Sequence, residues 1–228
     1  MTRPLSFLLI VAASVSMSIP ATPVYGQGGA APPARPAPPP FDRKAPLPPL
    51  SGVTRERELL LATLAAPASV SDFATIWVTG PGGYEVARQG TTGWGCLVQR
   101  GYNGRGAFPR CDSPERVATL YPVYFLLEEL RTKKGSAEDY ERAVADGYRN
   151  GKYRQPPTGA LSYMYAQGSI KPHVMIAQPF CAHQHLGLAH DSLVRTATTG
   201  VDVLGAGRPD CDLIIWTPDS TLRKVPAP

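Results

Sequence analysis

Charge is scarce in this chain. Asp, Glu, Lys and Arg make up 18% of its 228 residues, against roughly 25% in an ordinary soluble domain. A highly charged disordered chain is therefore excluded. Histidine and cysteine each stop at four residues. No Cys-x-x-Cys pair occurs, which removes a thioredoxin-like redox role. His-Glu-x-x-His and Gly-x-Ser-x-Gly are absent too, so neither a zinc-protease helix nor a nucleophile elbow can be read. Beyond the N-terminus no apolar run approaches the roughly 20 residues that span a bilayer. Internal repeats are lacking. Gly205-Ala206-Gly207-Arg208-Pro209-Asp210 is no dinucleotide loop: Pro209 bars a helix through it and no βαβ unit surrounds it. It reads as a turn before the last strand.

Proline is plentiful, with 25 residues, 9 of them between Ala31 and Leu50. Proline lacks an amide donor and fixes φ, so that stretch forms neither helix nor central strand. It reads as an extended spacer. Before it, Arg3, an apolar run from Leu5 to Val15 and Val24-Tyr25-Gly26 have the layout of a secretory signal peptide cut after Gly26. The expected organisation is a signal peptide at 1–26, a Pro-rich disordered tether at 27–53 and one globular domain at 54–228. The protein is then secreted or periplasmic, with no transmembrane segment after cleavage.

The net charge of +5 sits largely in that leader. Arg3 lies in the signal, and Arg35, Arg43 and Lys44 against Asp42 in the Pro-rich stretch, which leaves +2 for Ser51–Pro228. Arg55/Arg57, Arg131/Lys133/Lys134 and Arg149/Lys152/Arg154 are explained by helix ends. No nucleic acid partner is expected.

Within the domain, Thr54 caps a helix that Pro67 stops, with Leu60, Leu61 and Leu64 on its buried face. Ala74–Val78 and Tyr84–Arg88 form a hairpin about Thr79-Gly80-Pro81-Gly82-Gly83. Trp94–Arg100 is a third strand, with Trp94, Cys96 and Val98 alternating. Ser113-Pro114 opens a helix that Pro122 should kink or split and Gly135 should cap. Ser136 to Asp139 is a capping-box variant opening a helix over Ala137–Arg149. Leu161–Tyr165, His173–Gln178 and Leu213–Thr217 read as strands. Strands flanking a central helical block predict an α+β fold with a mainly antiparallel sheet.

Gly90-Thr91-Thr92-Gly93-Trp94-Gly95-Cys96-Leu97-Val98, Pro109-Arg110-Cys111-Asp112, Gly159 to Tyr165 and Pro172-His173-Val174-Met175 resemble a group of uncharacterised exported bacterial proteins. Glu56 to Pro67 matches their N-terminal helical segment. The resemblance implies an exported single domain and carries no catalytic residues. It does not extend to His183 and His185.

Four cysteines in an exported chain suggest two disulfides. Three pairings exist; Cys96–Cys111 and Cys181–Cys211 are preferred, with buried free thiols as the competing reading. All four histidines fall between His173 and His190. On a strand, His183 and His185 would share a face and could hold zinc or copper, with His173, His190 or Asp191 as a third ligand and a reduced Cys181 as a fourth. The spacing matches no metalloenzyme motif, and a solvent-exposed loop that happens to be His-rich is the preferred reading. Tyr148, Tyr153, Tyr163 and Tyr165 could line a carbohydrate or peptide groove, or be core residues with hydroxyls at the rim. The expected function is therefore non-catalytic: a binding or structural domain with no cofactor, acting on an envelope or extracellular partner. The alternative is a transition-metal protein or metal-dependent enzyme built on His183 and His185.

Overall fold

In a computed structural model, residues 42–50, 53–102, 104, 107–166, 170–186, 201–208 and 210–217 are described. The expected signal peptide and most of the Pro-rich stretch lie outside them.

The fold is α+β, with eight strands in one sheet and four helices among the described residues. Thr54 caps α1 (Arg55–Leu64), its side chain accepting from the Arg57 amide. A single turn, α2 (Ala68–Ser71), follows Pro67. β1 (Thr75–Gly80) and β2 (Gly83–Arg88) form the expected hairpin. Gly83 has φ 116°, which only glycine adopts without strain. β3 (Gly95–Arg100) runs parallel to β1, and every other pairing is antiparallel. β4 (Ala107–Asp112), β5 (Leu161–Ala166), β6 (Ile170–Ala177), β7 (Val201–Leu204) and β8 (Asp212–Trp216) complete the order β2-β1-β3-β4-β5-β6-β8-β7.

Side chains alternate across the sheet. Ile76, Val78, Cys96, Val98 and Cys111 face α1 and pack on Ala62, Ala65 and Ala66. Trp77 points to the other side, where α3 (Pro114–Thr132) lies over β2, β3 and β4. There the Trp77 ring meets Tyr121 at 5.1 Å and Phe125 at 6.0 Å. Gly95 makes room for this contact, since a Cβ would stand 2.5 Å from the Trp77 ring.

Pro122 neither splits α3 nor ends it. Its missing amide costs one ladder bond. Tyr121 and Val123 on either side are buried and anchor the helix where it continues through the proline. At the C-terminus Gly135 donates to the Leu130 carbonyl at 2.8 Å and Lys134 to Arg131 at 3.1 Å, a Schellman pattern. The left-handed residue is Lys134, with φ 59°, and not the glycine. Ser136 and Asp139 form the capping box of α4 (Ala137–Arg149).

The end of the Pro-rich stretch is docked on the domain. The Leu47 amide donates to Gly135, and its side chain is buried with Leu127 and Ala137. Arg131 donates to the carbonyls of Pro48 at 2.6 Å and Gly101 at 2.9 Å while pairing with buried Glu128 at 3.0 Å. This part of the expected tether therefore packs against the α3–α4 junction. The adjacent carboxylates of α3 divide: Glu129–Lys133 is exposed, Glu128–Arg131 is interior.

Candidate functional site

Both preferred disulfides are present, Cys96–Cys111 and Cys181–Cys211. The first joins directly opposed residues of β3 and β4. That pairing decides where its neighbours go. With Cys111 turned toward α1, Arg110 and Asp112 must face α3.

Arg110 and Asp112 form a two-pronged pair: Nε donates to Oδ2 at 2.7 Å and Nη2 to Oδ1 at 2.8 Å. Arg110 also donates to Gln99 Oε1 at 2.8 Å and to Ser162 Oγ at 3.1 Å. Its guanidinium lies 5.0 Å from the centre of the Tyr124 ring. Burial alone would lower the Arg110 pKa. The Asp112 carboxylate outweighs it, and the cation is held more firmly than an ordinary arginine.

One helical turn beyond Asp112, Arg116 enters the same group. Its Nη2 donates to Asp212 Oδ1 of β8, and its Nη1 stands 3.8 Å from Asp112 Oδ1. Arg116 is 1% exposed, yet its Nε and Nη1 have no hydrogen-bond acceptor among the described residues. Burial raises the Asp212 pKa, with Arg116 opposing.

Above this group lies a cavity of about 710 Å³ between α3, α4 and the sheet. Met164 of β5, Met175 of β6 and Asp212 of β8 line its sheet side. From α3 come Arg116, Leu120, Val123 and Tyr124, and from α4 Tyr140, Glu141, Val144, Ala145 and Tyr148. Gln155 and Pro156 close one side; Leu204, Arg208 and Asp210 of the β7–β8 region close another. The volume falls within the roughly 300–1,000 Å³ typical of small-molecule sites. Tyr140 packs edge-on against Tyr102 at 5.5 Å and Tyr148 against Tyr153 at 5.9 Å. Burial pushes the hydroxyls of Tyr124, Tyr140 and Tyr148 above their ordinary value, so all three stay protonated as donors. Ser162 is buried beneath, with its Oγ engaged by Arg110.

The four tyrosines singled out in the sequence disperse. Tyr148 lines the cavity and Tyr153 supports it. Tyr163 lies on the α1 face of the sheet, stacked on Trp94 at 5.8 Å. Arg110, Asp112, Arg116 and Asp212 were not recognised as a group, and the signal for it was the disulfide. Pairing Cys96 with Cys111 fixes the face of residues 110 and 112, and Arg116 follows four residues after Asp112.

The histidine cluster is only partly within the described residues. His183 and His185 sit in a 3₁₀ turn, His183–Leu186, so the strand alternation expected to align them does not apply. His183 is buried, with Nε2 4.0 Å from Asp202 Oδ1. His173 packs on Trp216 at 4.9 Å, its Nδ1 2.8 Å from the Lys171 carbonyl oxygen. Cys181 is in a disulfide and is not a ligand. His190 and Asp191 lie outside the described residues. Among the described residues no group of three His, Cys, Asp or Glu could hold a metal ion, and no helix is long and apolar enough to cross a membrane.

No family model, no curated protein and no solved structure matches this chain. The resemblance to exported bacterial proteins therefore gains nothing from known relatives, and the geometry of the cavity has to carry the functional reading.

Proposed function

We propose that this chain is an exported, non-catalytic binding domain whose ligand occupies the cavity between α3, α4 and the sheet. One observation carries the reading: Arg116, nearly inaccessible to water, has no hydrogen-bond acceptor for Nε and Nη1 among the described residues, at the floor of a ligand-sized cavity. A buried donor without an acceptor costs about 1–3 kcal/mol. Folds seldom retain that cost without use. The N-terminal signal layout and the two disulfides support export. Binding without chemistry is supported by the cavity's composition. Its described arginines and carboxylates are held in pairs.

The test is a thermal-shift screen of small polar compounds on the chain beginning at Gln27, run beside the variant Ala145→Trp. Ala145 is exposed on α4 and lines the cavity, so a tryptophan there fills the space without touching the core. A compound at 100 times its Kd stabilises by about 2.7 kcal/mol. For a domain of this size the Tm should rise by roughly 5–10 °C. Ala145→Trp should lose the response. A screen without responders, or responders that shift both proteins equally, would sink the reading. So would turnover of a bound compound.

A further inference from the structure

We infer that the ligand of this cavity is a neutral saccharide. This rests on the binding reading above and names its ligand class. Three arginines line the cavity, Arg110, Arg116 and Arg208, and so do three carboxylates, Glu141, Asp210 and Asp212. They pair off: Arg116 with Asp212 inside, and Arg208 with Asp210 at the rim, at 2.6 Å. Arg110 is held by Asp112 beneath, and Glu141 by Arg43 outside. Such a lining has no net attraction for an anion or a cation. An ionic ligand would have to displace a charge already satisfied, at a desolvation cost of several kcal/mol.

With those charges paired, what the described lining leaves without a hydrogen-bond partner is two donors and one acceptor. Arg116 offers the donors Nε and Nη1, and Gln155 offers the acceptor Oε1, which is buried without a partner. A hydroxyl can accept from the one and donate to the other, and a sugar ring carries several. Closing on them takes a rotamer adjustment of the lining, which is ordinary on binding. The remaining walls are tyrosine faces and aliphatic side chains such as Val144 and Met164, suited to the C–H face of a sugar ring. A peptide fits less well. Added as a strand it needs main-chain partners, and under the cavity the backbone of β5, β6 and β8 is already spent in the ladder.

The chain beginning at Gln27 should be applied to an array of neutral glycans, and the responders titrated by calorimetry beside Ala-Ala-Ala and trigalacturonate. A neutral oligosaccharide should bind, with a Kd unchanged between low and high salt because no charge is involved. Gln155→Ala and Tyr148→Ala should each weaken it about five- to tenfold, and Ala145→Trp should abolish it. Neither Gln155 nor Tyr148 is fully buried, so both variants should fold. If Ala-Ala-Ala or trigalacturonate binds in an Ala145→Trp-sensitive way and no neutral glycan does, the saccharide assignment falls and the cavity-binding reading stands. If nothing binds in that way, here or in the thermal-shift screen, both fall.

Discussion

Replacing Asp112 with alanine should be among the most damaging single changes in this protein. Asp112 is 0% exposed and accepts two hydrogen bonds from Arg110, with Arg116 at 3.8 Å. Its removal leaves the Arg110 cation in the interior with only Gln99 and Ser162 as neutral acceptors. Losing one partner of a buried pair costs about 3–5 kcal/mol. Summing two lost charge-assisted bonds, at about 1.5–3 kcal/mol each, reaches the same range. For a domain of this size the Tm should fall by roughly 6–20 °C. Urea titrations followed by tryptophan fluorescence give the free energy directly. The double variant Arg110→Leu, Asp112→Leu should recover much of the loss, since it leaves no orphaned charge. A cost below about 1 kcal/mol for Asp112→Ala, the level of an exposed ion pair, would refute the claim that this group is a buried, interdependent network. So would a double variant as unstable as the single one.

Three further outcomes are expected. Cys96→Ala with Cys111→Ala should destabilise by about 3 kcal/mol in urea titrations, because the disulfide closes a loop of separation 15. Gly147→Ala should destabilise α4 although alanine is the better helix former by about 1 kcal/mol: its Cβ would fall 2.2 Å from the Tyr153 ring, and overpacking costs about 1–3 kcal/mol. The pKa of Asp139 is lowered from 3.8 by the Ser136 amide and hydroxyl, so an NMR titration should find its midpoint below that value. Its contribution to stability is then intact above pH 3.8 and is lost as the pH falls through the folded-state value, and Asp139→Asn should lack that acid-side loss.

Much of the fold could be read from local chemistry. Thr54, Ser113 and Ser136 announce helix starts, and Gly80-Pro81-Gly82-Gly83 announces the hairpin. Two strands went unread. β4 contains Pro109 and two charged residues, Arg110 and Asp112, whose alternation becomes intelligible only once Arg116 and Asp212 stand opposite. β7 is four residues long at the sheet edge, too short for a period to register. Pro122 costs one backbone bond, and the helix continues through it with buried side chains on both sides. The site was less legible than the fold. The cavity draws on β5, β6, β8, α3 and α4, which are distant in sequence, and charge pairing across such distances leaves no local pattern. The histidine run is dense in sequence; of its described members, His173 packs on Trp216 and His183 lies 4.0 Å from Asp202.

The central claim is that ligand enters the cavity between α3, α4 and the sheet. Methionine offers a direct reporter. Of the four in the chain, Met1 and Met17 precede Gln27, and Met164 and Met175 both line the cavity. With ¹³C-methyl methionine, the chain beginning at Gln27 should give two methyl resonances. Titration with a mixture of maltotriose, cellotriose and triacetylchitotriose should move both, and Ala145→Trp should abolish the movement. Binding detected by calorimetry that leaves both resonances in place would contradict the account.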